Sequence, residues 1–450
     1  MKAFLLFVIV TSFYSCKKFL DARPNNSLAI PKTVQDLQAL LDAHDIISNG
    51  TSYGIAEGSG DNYYLPETIW QSITSEESRS IYLWGEEIFY NSFPNEWSKL
   101  YQVINVSNTV LESLHDIESS SSDMQQRQQV EGSALFYRAR SYLTLVSNWG
   151  LVYQLPASNT DLGVPLRLSS DFNIPSQRAT VAQCYDQIVN DLQRASQLLP
   201  AAVPHVMRPS KPAAFALLAR TYLWMDKYGE AREACDSSLR YFSQLLNYNE
   251  VDSNSFYSFS QYNKEVIFHS VIAVPPHLDD TRAAIDSNLY SSYEIGDLRK
   301  VTFFEPNGDG TYRFKGSYNG SWILFDGIAT DEVLLTRAEC YARLGDLAKA
   351  ATDLNTLLRN RYETGFYTDY SSSDQNEMVS RVLTERRKEL LMRNIRWGDI
   401  KRLNKEPMYQ TTIKRIIDGQ EYILAPNDKK YALPLPAYIV TMTGMPQNQR

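Results

Sequence analysis

Apolar residues recur at helical spacing in several segments, and one of these segments is unusually rich in charge. It reads ERRKELLMRNIRWGDIKRLN and begins at Glu385. The apolar residues that share one arc at 100° per residue are Leu383, Leu390, Leu391 and Ile395. Arg387 lies inside the same arc. Because a buried charge is costly unless it is paired, the pattern predicts either a partner carboxylate elsewhere in the chain or a functional site.

Two other helical segments repeat one pattern. LLARTYLWMDKYGEAREACDSSL and LLTRAECYARLGDLAKAATDLNTLL align without gaps, so that Ala219 and Tyr222 fall on Ala338 and Tyr341. Small alanines that let two helices approach, with a large residue filling the gap, are typical of tetratricopeptide-like pairs. The two copies lie much further apart than the usual period of about 34 residues. We therefore predict a mainly α fold, in which irregular tetratricopeptide-like helical pairs form a platform interrupted by insertions.

Two segments break the helical pattern and are dense in aromatic residues. Residues 45–95 are irregular, and residues 250–330 alternate aromatic residues with polar, glycine-rich turns. The second segment predicts short strands, with a hairpin turn at Asn307-Gly308. The chain has 29 tyrosines, a number that favours flat amphipathic binding surfaces, although tyrosine also packs in cores.

The N-terminal segment MKAFLLFVIVTSFYSC combines a basic start with a short apolar run. The run is too short to span a bilayer and is typical of a secretory signal. Its end at Ser15-Cys16 resembles a bacterial lipoprotein signal, in which Cys16 becomes the acylated first residue. Phe13 and Tyr14 are bulkier than the residues usual at those positions, and an ordinary cleaved signal is the alternative.

Composition and motifs argue against several classes of function. The net charge of −8 provides no electrostatic footprint for nucleic acid. None of the five histidines belongs to a zinc or nucleophile motif, and the three remaining cysteines have no metal-ligand spacing. We therefore predict neither catalysis nor a metal or other cofactor.

Several segments, in their order along the chain, resemble the SusD/RagB family of outer-membrane nutrient-binding lipoproteins of the Bacteroidetes. They are FLDARP after Cys16, EGSALFYRARSYLTLVSNWGLVYQLP, SKPAAFALLARTYLW, DEVLLTRAECYARLGD, TERRKELLMRNIRWGDIKRLN and LPLPAYIV. The resemblance implies a helical platform that carries a loop-rich region with short strands. It also implies a lipid-anchored protein that faces the cell exterior, binds oligosaccharides and delivers them to a SusC-like TonB-dependent β-barrel transporter. A peptide-binding member of the family and a tetratricopeptide-type protein–protein scaffold are the alternatives.

These observations divide the chain into four parts. Residues 1–15 are the predicted signal peptide and residues 16–32 a lipid-anchored tether. Residues 33–249 form an N-terminal helical region that includes the aromatic loop 45–95. Residues 250–450 form a C-terminal region with a loop and strand insert (250–330), helices (331–405) and an extended tail.

The arginine in the charged helical segment needs a carboxylate partner, and two glutamates are candidates. Glu332 and Glu339 lie seven residues apart on one helix face, and we predict that Arg386 or Arg387 forms a structural ion pair with one of them.

Sugars are recognised by aromatic rings that stack under their apolar faces and by polar groups that satisfy their hydroxyls. The predicted ligand-binding residues are Asp61, Asn62, Tyr63, Tyr64, Trp84, Tyr318, Asn319 and Trp322. The same two loop regions also contain Trp70, Arg79, Tyr290 and Tyr312.

Overall fold

Helices provide most of the regular structure in residues 31–450, which the computed structural model describes with the exception of residue 91 and residues 119–122. In chain order the α-helices of this part are α1 (Val34–Leu41), α2 (His44–Ile47), α3 (Ile55–Ser59), α4 (Glu67–Ser72), α5 (Glu76–Tyr82), α6 (Glu96–Asp116), α7 (Met124–Trp149), α8 (Val181–Leu198), α9 (Lys211–Trp224), α10 (Tyr228–Tyr241), α11 (Ser287–Ser291), α12 (Arg299–Thr302), α13 (Thr330–Arg343), α14 (Leu347–Leu358), α15 (Gln375–Glu389), α16 (Arg396–Leu403) and α17 (Ala437–Thr443). Single 3₁₀ turns lie at Ala157–Asn159, Tyr248–Glu250, Pro407–Tyr409 and Lys429–Tyr431.

The long helices stack in sequence order, each against its neighbour. Helix α6 packs on α7, α7 on α8, α8 on α9, α9 on α10, α10 on α13, and α13 on both α14 and α15. Ala219 of α9 and Ala338 of α13 are fully buried in the larger core, and Gly345 makes the tight turn between α13 and α14 with a φ of +84°. The predicted platform of tetratricopeptide-like pairs is confirmed, and α11 and α12 belong to the insertion between two successive members of the stack.

The strands are short and form two-stranded ladders. They are β1 (Asn49–Ser52), β2 (Tyr63–Tyr64), β3 (Leu162–Pro165), β4 (Arg178–Thr180), β5 (Val266–Phe268), β6 (Val271–Ile272), β7 (Ala284–Ile285), β8 (Phe304–Pro306), β9 (Tyr312–Phe314), β10 (Ile328–Ala329), β11 (Ile413–Ile417) and β12 (Gln420–Leu424). Strands β8 and β9 form the hairpin predicted at Asn307-Gly308, and Gly308 has a φ of +87°. The β11–β12 hairpin and helix α17 lie in the segment predicted as an extended tail, so that part of the prediction is wrong.

Apolar side chains form two separate cores. The larger core lies between the platform helices, and the second is built from the loop regions. The second core is mainly aromatic, and its rings make successive tilted and edge-to-face contacts, such as those of Phe259 with Tyr318 and with Phe303. Each buried aromatic side chain removes a large apolar surface from water, so this core stabilises a region that has little regular secondary structure.

The charged segment at Glu385 does not form one helix. Helix α15 ends at Glu389, and Met392 and Asn394 have left-handed backbone conformations with φ of +58° and +60°. The residues after Glu389 therefore do not continue the predicted arc. Arg386 is the arginine that faces the core, with a side chain 2% exposed, whereas the side chain of Arg387 is 26% exposed.

The predicted ion pairs of Arg386 and Arg387 with Glu332 or Glu339 are wrong, although all four side chains are paired. Arg386 donates to Asp399 at 2.7 Å and to Thr336 of α13 at 3.1 Å. Glu339 is paired with Arg402 at 2.6 Å, and Glu332 with Arg220 at 2.6 Å. Arg387 donates to the backbone carbonyl of Asp61 at 2.9 Å. Arg386 thus joins α15 to α13 as expected, but through a hydroxyl and not a carboxylate.

A second group of buried charges surrounds the end of α15. Arg299, fully buried, pairs with Asp297 at 2.7 Å, with Glu385 at 2.6 Å and with Glu389 at 3.1 Å. Arg361 pairs with Glu389 at 2.7 Å and with Glu265 at 2.8 Å. These pairs connect α15 to the insertion and to the strand-containing region, so that Arg299, Arg361, Glu385 and Glu389 each have an opposite charge within hydrogen-bonding distance.

Candidate ligand-binding surface

The two aromatic loop regions are neighbours in the folded chain. Strand β2 pairs with β7 in antiparallel fashion, with Tyr63 opposite Ile285 and Tyr64 opposite Ala284. Strand β7 also lies beside β9 of the β8–β9 hairpin. Residues from 63–64, 284–285 and 312–314 therefore lie next to one another, so the two loop regions meet in the folded chain.

Three predicted stacking residues are buried and cannot present a ring face to a ligand in this structure. Tyr63, Trp84 and Tyr318 are between 1% and 3% exposed. Their polar atoms are already used: Tyr63 Oη donates to the carbonyl of Gly58, Trp84 Nε1 to that of Ser59, and Tyr318 Oη to Glu265 at 2.6 Å. Tyr63 and Tyr318 belong to the second core and Trp84 to the larger one.

The two predicted amides are also buried and have protein partners. Asn62 donates from Nδ2 to Glu57 at 2.7 Å. Asn319 lies 3.1 Å from His269 Nε2 and accepts a hydrogen bond from Gln261. Both side chains are buried in the loop interior, at 1% and 7% exposure, so the structure gives them a structural position and not a ligand-facing one.

Asp61 holds the first loop against α15 and α16. Its carboxylate accepts two hydrogen bonds from Arg396, at 2.6 and 2.8 Å, and lies 3.3 Å from Arg387. Burial alone would raise the pKa of this carboxyl group, but the two guanidinium charges outweigh burial and hold the pKa below its ordinary value. Asp61 is therefore a carboxylate anchored by two arginines.

Two of the predicted residues remain accessible. Tyr64 is half-buried at the β2–β7 ladder, and Trp322 is 48% exposed at the tip of the segment before α13. No ring contact joins Trp322 to Tyr64 among the described residues, so the structure does not place these two in one cluster.

Tyr290 and Tyr312 form the best-defined aromatic surface next to β7. Their rings stack with centroids 3.6 Å apart and an interplanar angle of 14°, and both side chains are half-buried. Lys300 Nζ lies 4.8 Å from the centroid of the Tyr290 ring, and since Tyr312 covers one face of that ring, the ammonium group covers the other. Burial and the neighbouring hydroxyl of Tyr312 raise the pKa of Tyr290 to about 12. Since Tyr312 and Lys300 cover the two faces of the Tyr290 ring, the outer face of Tyr312 is the one left for a ligand.

A groove with several polar side chains in its lining lies beside helix α11. It has a volume of about 300 Å³ and is lined by α11, α15 and the segment after α16. Asn288 and Ser292 of α11 face Ser380, Thr384 and Arg387 of α15 across it. Arg387 Nε is buried and has no hydrogen-bond partner in the described part of the chain. Hydroxyl, amide and guanidinium groups beside Leu289 and Leu383 form a surface that suits a hydroxylated ligand with apolar patches.

Tyr64 and Trp322 are the predicted ligand-binding residues that remain accessible, and none of the eight predicted residues lines the groove at α11. The groove was missed because its walls come from residues about 90 positions apart in the chain, a separation that no local pattern reveals. Helix α11 was missed because five residues are too few for helical periodicity to be recognised. Within the described residues, no group of histidine, cysteine, aspartate or glutamate side chains has an arrangement that could hold a metal ion.

Comparison with known proteins places these features in context. A family model described as "Starch-binding associating with outer membrane" matches residues 18–223, and a model described as "SusD family" matches residues 330–441. A search of curated proteins gave no match.

Similar solved structures include two SusD superfamily proteins, from Bacteroides vulgatus and Bacteroides thetaiotaomicron. Both are 21% identical to this chain and cover 93% of it, with TM-scores of 0.75 and with 99% and 100% of their own lengths matched. A SusD-like carbohydrate binding protein from Bacteroides vulgatus is 20% identical, with a TM-score of 0.69, and the match covers 92% of this chain and 97% of that protein. The similarity establishes a common fold over nearly the whole chain.

The burial of Glu57 in the first loop predicts a dependence of stability on pH. Burial raises the pKa of the Glu57 carboxyl group to about 7, against opposing hydrogen bonds from Asn62 and Asn394. A folded-state pKa above the unfolded value, about 4.3, means that the stabilising contribution is complete below pH 4.3 or so and is lost as the pH rises through about 7. We predict that the free energy of unfolding falls between pH 5 and pH 8, and that Glu57→Gln reduces this slope by at most about 1.4 kcal/mol per pH unit.

Urea denaturation at several pH values measures this slope. The exposed Glu67→Gln on α4 is the matched control for the loss of one carboxyl group. An unchanged slope in Glu57→Gln would contradict the assignment of a buried, protonated carboxyl group next to Asn62.

Proposed function

Because the chain belongs to the SusD/RagB family, we propose that it is a non-catalytic surface lipoprotein that captures oligosaccharides and delivers them to a TonB-dependent outer-membrane transporter. The observation that carries the proposal is the half-exposed Tyr290–Tyr312 stack beside the groove at α11. Together they supply a flat apolar ring and a set of hydrogen-bonding groups at one short helix.

Stacking explains how such a surface can hold a sugar. One face of a pyranose ring carries C–H groups, which pack against the face of an aromatic side chain, while its hydroxyls seek polar partners. Tyr312 is held in place by Tyr290 before a ligand arrives, so little side-chain entropy is lost on binding. The groove volume of about 300 Å³ lies at the lower end of the range for ligand sites and suits one or two sugar rings.

The N-terminal sequence supports attachment to the membrane by lipid. Within the described ranges, 31–90, 92–118 and 123–450, none of the helices has the length and apolar character needed to cross a bilayer. Cys16 lies outside the described residues. Acyl chains on that cysteine would anchor the protein, since each buried CH₂ group contributes about 0.8 kcal/mol.

Replacement of Tyr312 by alanine tests the ligand surface. We predict that Tyr312→Ala weakens oligosaccharide binding about threefold to tenfold, because a stacked ring contributes about 0.5–1.5 kcal/mol. A glycan array identifies the ligand, and isothermal titration calorimetry then measures its affinity. Tyr241→Ala removes an exposed tyrosine from the platform helix α10, away from the loop surface, and is the control.

Trp322→Ala forms a separate arm of the same experiment. A loss of affinity in Trp322→Ala with unchanged binding in Tyr312→Ala would move the site to the tip of the segment before α13. Unchanged affinity in both variants would contradict the proposed ligand surface.

Replacement of Cys16 tests the anchor. We predict that Cys16→Ser abolishes incorporation of labelled fatty acid and shifts the protein from the membrane fraction to the soluble fraction, since serine has no thiol to acylate. Ser27→Ala leaves the Cys16 thiol in place and is the control. Retention of Cys16→Ser in the membrane with unchanged labelling would contradict the lipoprotein assignment.

A further inference from the structure

A deep apolar groove lies on the platform, lined by residues other than those of the aromatic loop surface. Its volume is about 770 Å³, within the range of ligand-binding sites. Helix α6 forms the floor, the segment between β3 and β4 forms one wall, and helix α17 with the residues after it forms the other. From its lining we infer that this groove binds an extended internal segment of a partner protein that carries apolar side chains.

The lining is apolar, and its rims expose large aromatic side chains. Trp97 and Ile104 on the floor and Ile439 and Met445 on one wall are among its apolar lining residues. Phe93 on one rim is 74% exposed, and Phe172 on the other is 81% exposed. Pairs of exposed phenylalanines flanking an apolar groove are typical of surfaces that another polypeptide covers.

Two amides on the floor are free to bind a peptide backbone. Gln102 and Asn105 lie three residues apart on one face of α6 and line the groove. Neither side chain makes a hydrogen bond within the described part of the chain. A primary amide offers a donor and an acceptor side by side, which matches the N–H and C=O of an extended peptide. By contrast, neighbouring Asn108 is fully used, since it donates to the carbonyl of Arg167 and accepts from Arg138.

The length of the groove fits a short extended segment. From Trp97 to Asn108 the helix rises about 16 Å, at about 1.5 Å per residue. An extended chain advances about 3.3 Å per residue, so about five residues span this distance. Side chains at alternate positions then point towards the apolar floor.

The scarcity of charged residues in the lining favours an internal segment of a longer chain over a free peptide as the occupant of the groove. Among the described lining residues, Arg167 is the one charged side chain. Its guanidinium group donates to the carbonyls of Ile174 and Asp171 and to the hydroxyl of Ser176, so it is directed into its own loop. A free pentapeptide carries a charge at each end, and the groove offers neither end a partner. Burying an unpaired charge is unfavourable, which favours a segment within a longer chain.

The burial of Trp97 favours a peptide over a sugar as the occupant of the groove. Its ring is 3% exposed and makes edge contact with Trp149 and a tilted contact with Tyr101 at 5.0 Å. A sugar needs an open, flat ring face, whereas apolar side chains fit the concave surface that these rings form. The groove therefore favours a polypeptide occupant.

Binding of short peptides to the full-length protein tests the inference. The probes are pentapeptides with apolar residues at alternate positions, prepared with acetylated and amidated ends and also with free ends. We expect the capped peptides to bind at least about tenfold more tightly than the free ones. We also expect Gln102→Ala/Asn105→Ala to weaken capped-peptide binding about tenfold, from two lost hydrogen bonds, and Phe172→Ser to weaken it as well. Phe256→Ser removes a phenylalanine that is 62% exposed but does not line the groove, and this control should not alter binding.

Each alternative has its own result. Absence of capped-peptide binding, equal affinity of capped and free peptides, or equal affinity in the double-alanine variant would overturn the inference. Displacement of the peptides by a panel of neutral oligosaccharides would assign the groove to sugars. Tighter peptide binding in Phe19→Ser/Leu20→Ser would assign it to the chain's own N-terminal segment, and either result would overturn the partner assignment. The inference does not depend on the loop surface, since Tyr312→Ala should leave peptide affinity unchanged and Gln102→Ala/Asn105→Ala should leave oligosaccharide affinity unchanged.

Discussion

Pairing of buried charges at the end of helix α15 is the interaction on which the rest of the structure depends. Four of the five residues in the sequence ERRKE, namely Glu385, Arg386, Lys388 and Glu389, are at most 2% exposed. Each would be strongly destabilising without a partner, since removing one member of a buried pair costs about 3–5 kcal/mol. Each has a partner from a distant segment. The segment therefore holds the platform and the strand-containing region in one arrangement. Apolar packing alone would fix this arrangement less strictly.

The same pairing determines which residues are left for binding. Arg387 and Arg396 hold Asp61 and so fix the first loop against α15 and α16. Once that loop is fixed, most of its aromatic side chains turn inward and fill the two cores. The side chains that remain at the surface lie on the edges of the second core, where Tyr312 rests on Tyr290 and Lys300. A rigid aromatic core beneath a few exposed rings is a suitable support for a ligand that binds by stacking.

The sequence predicts the helical platform well because its signals are local. The alanine spacing acts within a few positions and appears in the structure as expected, and the cap at Thr180 and the turn at Gly345 are equally local features. The partner of Arg386 was not predictable in the same way, because α15 ends at Glu389 and Asp399 belongs to the next helix. Whether Tyr63 or Tyr64 is the more deeply buried depends on which side of a two-residue strand meets the core, and so short a strand carries no alternation pattern. The groove on α6 has one visible local element, Gln102 with Asn105, but its walls come from segments more than 50 residues away.

Hydrogen exchange of the Arg361→Met variant tests the central role of buried charge pairing most directly. Arg361 connects Glu389 of α15 with Glu265, which precedes strand β5. Its loss should leave both carboxylates without this partner while a side chain of similar length still fills the space. We expect protection to fall around residues 246–268 and at the end of α15, with the amides of α6 to α9 still protected. Unchanged protection in the 246–268 region, or an equal loss throughout the platform, would contradict the account.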